Sequence, residues 1–203
     1  PLVPPGTYAV RAVKRIDDET TPLGDPVAFE VEAIGDPALP RQDPVAVLAF
    51  QRAVGELARA ARAASEVLDE AKVQVDEIEA LVKRGRTADL DLLDEARRIE
   101  LALLDAEEAL SGDRTKTSRG EPGSPSVRSR LRNAQSSLRT THGPTATQRE
   151  QFRIAFEEYR AAVGALRRAA EVDLEQLKDA LDAAGAPWTR GRKIPTIGED
   201  GGP

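Results

Sequence analysis

The sequence contains no cysteine and no methionine, a single histidine, and only one tryptophan, two tyrosines and four phenylalanines in 203 residues. Without cysteine there are no disulfides, no thiolate nucleophile and no thiolate metal site, although no compartment follows from that alone. Without a second histidine there is no Glu-x-x-His pair of the kind di-iron bundles use. No apolar run approaches the roughly 20 residues that span a bilayer. No secretory leader is present, and the lack of every methionine, the initiator included, leads us to expect a fragment or processed product. What is abundant is Ala, Leu, Glu and Arg. Charged residues make up 32% of the chain and its net charge is −6, so as a whole it is no electrostatic match for nucleic acid. Such a mixture favours long helices over sandwiches or barrels.

Two strands open the chain. Gly6 to Lys14 alternates Tyr8, Val10 and Ala12 against Ala9, Arg11 and Val13. Pro26 to Ile34 alternates Val27, Phe29, Val31 and Ala33 against Ala28, Glu30 and Glu32. The period of two places each first set on one buried face. The polar stretch RIDDETTPLGD between them reads as a hairpin loop. A lone hairpin is marginal in water, so residues 1–36 read as the last two strands of a β-sandwich.

A Pro-rich linker, 37–43, follows. Asp43 reads as an N-cap with Pro44 at the first helical position. From there to Lys83 the seam is apolar at every heptad position: Val47, Val54, Ala61, Leu68, Val75 and Val82, interleaved with Phe50, Leu57, Ala64, Ala71 and Ile78. Gly85 breaks this helix and Thr87 caps a second, whose seam is Leu92, Ala96, Ile99, Leu103, Ala106 and Leu110. Gly112 ends it. A long polar loop leads to Ser124 and Pro125, which restart a helix through Val127, Leu131, Ala134 and Leu138. Thr147 and Glu150 offer a capping box for the last helix. Its face is Phe152, Phe156, Tyr159, Val163, Leu166 and Ala170, continued by Leu174, Leu177 and Leu181. Gly185 reads as its C-cap, and 186–203 as a flexible tail.

The fold expected is therefore mainly α, a long antiparallel helical bundle over 44–185. The first and last helices are about 40 residues long, and the two between them, about 23 and 17, together match one long helix. Either those two run end to end as the broken middle rod of a three-layer bundle, or the chain reverses between them into a four-helix arrangement.

The chemistry-bearing motifs are few. His142, beside Gly143 at a helix end, reads as a partner for the helix dipole and solvent. No G-x-S-x-G turn, Walker loop, dinucleotide fingerprint or calcium loop occurs. The paired carboxylates read as solvated faces. Asp173 is the exception, because strict heptad continuation from Tyr159 and Leu166 puts it in the core; the other reading shifts the seam by one residue to Leu174. Between Asp113 and His142 seven basic residues (Arg114, Lys116, Arg119, Arg128, Arg130, Arg132 and Arg139) face only Asp113 and Glu121. Arg128, Arg130 and Arg132 are candidates for contact with an anion or a partner, or else pair with acidic neighbouring helices. No catalytic, cofactor-binding or metal-binding residue is assigned.

Taken in order, PLVPPGTYAVRAV, GDRTKTSRGEPGSPSVRSRLRNA, PTATQREQFRIAFEEY and AAGAPWTRGR resemble the C-terminal region of bacterial sortilin-like β-propeller proteins. Those proteins carry BNR (Asp-box) repeats and are often labelled glycosyl hydrolases. The resemblance runs from Pro1 to about Arg192 and implies an exported protein, secreted or periplasmic or at the cell surface. It implies an upstream propeller and an Ig-like sandwich ending in the PGTY strand, with the helical bundle as terminal module. No catalytic residue transfers to these positions. The function expected is a noncatalytic structural and interaction module without cofactor. It would contact the propeller and Ig-like domains, a second copy of itself, or a protein or peptide ligand, and not nucleic acid. The alternative is an accessory domain that positions substrate for a secreted hydrolase, glycosidase- or peptidase-like, whose active site lies upstream.

Overall fold

The computed structural model describes residues 3–35, 40, 42–84, 90–139 and 142–194. Strands β1 (Gly6–Val10) and β4 (Val27–Val31) pair antiparallel, with Tyr8 opposite Phe29 and Val10 opposite Val27. The expected alternation holds over these shorter spans, where Tyr8, Val10, Val27, Phe29 and Val31 share one face; Ala12 and Ala33 lie beyond the strand ends, and Val13 belongs to a second pairing. The loop is shorter than the sequence suggested. RIDDETTPLGD is mostly strand, β2 (Val13–Ile16) and β3 (Glu19–Pro22), closed by Asp17 and Asp18 alone. Both aspartates have positive φ, 46° and 70°, as a type I′ hairpin turn requires. Short acidic side chains tolerate that region, while Pro22 is accommodated at the end of a strand that has a neighbour on one side only. The apolar face is not covered: Val10, Val27 and Phe29 are 58%, 65% and 47% exposed.

Helix α1 (Pro44–Lys83) begins as expected, the Asp43 carboxylate accepting from the backbone N–H groups of Val45 and Ala46 at 3.1 and 3.3 Å. Every seam position from Val47 to Val82 is buried or half-buried. Helix α2 (Leu90–Ser111) buries all six of its expected seam residues. Gly85 and Thr87 lie outside the described residues. After Gly112 the long loop contains one short helix, α3 (Arg114–Ser118), capped by Asp113. Helix α4 (Val127–Gln135) starts two residues later than expected, because Ser126 and not Ser124 takes the cap, accepting from Ser129 N–H. A 3₁₀ turn, Ser136–Arg139, extends it. The side chains of Leu138 and Arg139 lie outside the described part.

Helix α5 (Ala146–Arg167) starts two residues earlier than expected. Its capping box joins Thr145 and Gln148: Gln148 N–H donates to Thr145 Oγ1 at 3.2 Å and Thr145 N–H to Gln148 Oε1 at 2.8 Å. Thr147 is already in the first turn, and Glu150 is held by Arg153 instead. The helix continues without a break through a π-helical segment, Arg168–Asp173, into α6 (Leu174–Ala183). A π turn inserts one extra residue and advances the helix face by that residue. Asp173 and Leu174 are thereby both buried, so neither sequence reading excludes the other. Phe156 departs from the expected seam and is 46% exposed; Ala155, Ala162 and Ala169 occupy the contact line instead. At Gly185 the chain closes a Schellman-type cap, Ala186 N–H donating to Leu181 O at 3.0 Å.

The three-layer arrangement is the one adopted. Gln42 Nε2 donates to Pro144 O, the Phe50 and Phe152 rings stand 5.4 Å apart edge to face, and Arg190 N–H reaches Glu77, so α1 and the α5–α6 rod run parallel. Lys72 pairs with Glu107, placing α2 antiparallel along the second half of α1. Arg130 bonds Glu158 and Gln151, and Ser136 accepts from Gln148, placing α4 antiparallel along the first half of α5. Helices α2 and α4 therefore follow one another as an interrupted middle layer between two unbroken rods of about 60 Å. Short connections are sterically demanding here: a Cβ on Gly143 would meet Val47 Cγ2 at 2.7 Å.

The expected flexible tail needs correction over its first residues. Residues 186–194 fold back on the bundle, and 195–203 lie outside the described residues. The Arg192 side chain is only 3% exposed; it pairs with Asp182 and donates to the carbonyls of Pro187 and Ala186. Trp188 Nε1 donates to Arg192 O at 3.1 Å, and a Cβ on Gly191 would collide with the Gln74 carboxamide. Among the described residues no helix is long and apolar enough to cross a membrane.

Candidate functional site

Two places hold polar chemistry away from the general surface: the gap in the middle layer and the π segment. At the gap, three basic residues that look alike in sequence are used differently. Arg130 points along the bundle and is structural. Its side chain is 15% exposed, with Nε 2.9 Å from Glu158 Oε2 and Nη1 2.9 Å from Gln151 Oε1. Arg128 and Arg132, one on each side of it, face outward. They lie one turn apart on α4, roughly 6 Å at Cβ, and no carboxylate among the described residues pairs with either. Arg114 approaches from α3, its Nε 3.0 Å from Glu107 Oε1. The candidates Arg128, Arg130 and Arg132 are thus divided: two remain available and the third is absorbed by the fold. Arg114 takes its place.

Arg114, Arg128 and Arg132 line an open cavity of about 680 Å³ between the loop and α4. Thr117, Ser118 and Gln135 also line it, and no carboxylate does. A smaller neighbouring cavity of about 280 Å³ shares Arg114 and Gly112 but has mixed charge, with Lys72, Glu107, Glu108 and Asp113. The Asp113 carboxyl sits below the ordinary aspartate range, chiefly because the Lys116 backbone N–H donates to it. That is the signature of a helix cap, which accounts for Asp113 without a functional role.

At the π segment, Asp173 is 4% exposed. Its Oδ2 lies 3.1 Å from Arg98 Nη2 and its Oδ1 lies 3.9 Å from Arg168 Nε. Arg98 also donates from Nε and Nη2 to the Glu95 carboxylate at 3.0 and 2.6 Å. Those bonds hold the Glu95 carboxyl below the ordinary glutamate range and raise the Arg98 guanidinium further above its usual value. The chain of charges alternates in sign, and both carboxylates face guanidinium groups. Such an arrangement fixes side chains, each carboxylate being engaged by a guanidinium.

His142 is exposed beside Gly143, as a terminal residue facing solvent would be. Among the described residues no group of three or more His, Cys, Asp or Glu side chains is arranged to hold a metal ion. Sequence reasoning missed two buried cations, Lys178 and Arg192. Lys178 pairs with Glu175 three residues earlier, a spacing that could have been read; Arg192 carried no signal within its Gly- and Pro-rich segment. Comparison of the chain with protein-family models, curated proteins and solved structures returns no match.

Proposed function

We propose that this chain is a noncatalytic structural and interaction module belonging to the C-terminal region of an exported, sortilin-like β-propeller protein. The observation that carries the reading is a contrast within one chain. The helical bundle closes a continuous core from Val54 to Leu181, whereas the hairpin presents Val10, Val27 and Phe29 to solvent on one face. A two-stranded ribbon of that kind gains stability when further strands or a second sheet cover its apolar face. The hairpin is then the attachment, completing an Ig-like sandwich, and the bundle is the part displayed. The carboxylates at the π segment, held between arginines, support a noncatalytic role.

The reading is tested on the gene and on the protein. The reading frame upstream of Pro1 should encode sandwich strands preceded by Asp-box repeats; a start codon directly before Pro1 would overturn the assignment. The purified chain should turn over no sialoside, aryl glycoside or peptide. Turnover abolished by Asp173→Asn would make the π segment an active site.

A further inference from the structure

The junction between α2 and α4 has beside it the composition of a ligand site, and this inference stands independently of how the hairpin is used. We propose that the cavity lined by Arg114, Arg128 and Arg132 binds a polyol or sugar carrying two or more sulfate or phosphate groups.

Charge comes first. In a chain of net charge −6, a cavity of about 680 Å³ lined by three arginines and no carboxylate is a local reversal of sign. Such a concavity concentrates anions, and guanidinium forks match tetrahedral oxyanions bidentately. Arg128 and Arg132 have no carboxylate partner among the described residues, so a ligand need not displace an internal ion pair to reach them. Arg114 is held at the rim by Glu107, which is itself buried and also pairs with Lys72. One wall is thus anchored while the other two guanidinium groups project from successive turns of a helix.

Size and lining then narrow the class. The volume falls within the roughly 300–1,000 Å³ of small-molecule sites, well beyond a lone inorganic ion. The hydroxyls of Thr117 and Ser118 donate to the carbonyls of Asp113 and Thr115 and keep acceptor lone pairs, while the Gln135 carboxamide offers both donor and acceptor, a set that suits a hydroxylated scaffold. No aromatic side chain lines the cavity, so there is no platform for a nucleobase. No large apolar side chain lines it either, so an acidic peptide would find no anchor for its side chains.

The test is isothermal titration of the purified chain with sucrose octasulfate and with myo-inositol hexakisphosphate, alongside hexaglutamate and a (dT)₆ oligonucleotide. At least one of the first two should bind 1:1, and the tighter of them identifies the oxyanion. The double variant Arg128→Gln/Arg132→Gln should weaken that binding by about tenfold or more, with an unchanged thermal melt, because both side chains are exposed. Arg59→Gln, which removes an exposed positive charge from α1, should leave it unchanged. The proposal is overturned if neither polyol binds, or if Arg59→Gln weakens binding as much as the double variant. It is equally overturned if hexaglutamate or the oligonucleotide binds as tightly as the better polyol.

Discussion

Removing Arg98 is expected to harm the bundle more than removing the carboxylate it serves. Asp173 is 4% exposed on the π segment, with Arg98 at 3.1 Å and the largely exposed Arg168 at 3.9 Å. Arg98→Ala leaves that carboxylate buried beside one distant partner. Deleting one member of a fully buried ion pair costs about 3–5 kcal/mol. Arg98 is itself half-exposed, and water enters the space it vacates, so the expected cost is about 2 kcal/mol. In a chain of this size that lowers Tm by roughly 4–8 °C. Asp173→Leu removes the need for a partner and should stay within about 1 kcal/mol of the parent. The double variant Arg98→Ala/Asp173→Leu should therefore recover most of what Arg98→Ala loses. Thermal and urea melts followed by circular dichroism supply all four corners of the cycle. The reasoning is refuted if Arg98→Ala melts within about a degree of the parent, or if the double variant is as damaged as Arg98→Ala alone.

Leu68→Asp should cost on the order of 3 kcal/mol or more by burying an unpaired carboxylate, while exposed Glu66→Ala should stay within about 0.5 kcal/mol; equal melts would mean the α1 seam is misassigned. The chain from residue 40 onward, lacking the hairpin, should keep a cooperative helical melt, since the core is built from α1, α2, α4, α5, the π segment, α6 and Ala186; a noncooperative melt would make the hairpin part of the folding unit. Because Arg98 holds the Glu95 carboxyl below its ordinary range, the unfolded chain binds more protons than the folded one in that window. Stability should then be flat above about pH 5 and fall as pH drops through the folded value, and urea midpoints that rise on acidification would contradict this.

Helix α1 was fully legible in the sequence because two signals agreed along its length: an apolar residue at every heptad position, and Asp43–Pro44 marking its start. The last helix was legible in extent but not in phase. Two threonines each stand three residues before a capping partner, and only geometry distinguishes Thr145–Gln148 from Thr147–Glu150, since Arg153 takes Glu150. An alanine is a weak apolar signal in sequence beside a phenylalanine. Close approach of three layers favours Ala155, Ala162 and Ala169 at the contact line, leaving Phe156 outside. The π segment left only a conflict of register at Asp173, whose resolution depends on Arg98 in another helix. The basic stretch showed its charge but not its division of labour. Whether an arginine is absorbed, as Arg130 is, depends on Glu158 and Gln151 arriving from α5. The Arg192 contacts needed the tertiary fold altogether.

The interruption between α2 and α4 also has a mechanical meaning. A bundle resists bending as a beam does, through struts set apart from its central line. This one has three struts, and the third is cut in sequence but not in space: Gly112 and Ser126 come together, so the end of α2 abuts the start of α4 with no helical backbone continuing across the joint. A butted joint bears compression but no helical hydrogen bonds hold it shut, so the molecule should bend most readily there, in the direction that opens the joint. The fulcrum of that flexure is the cavity of Arg114, Arg128 and Arg132, whose walls belong to the two ends of the severed strut. A ligand bridging them would act as a splint, turning a compliant joint into a rigid one and passing its occupancy to both ends of a lever of about 60 Å.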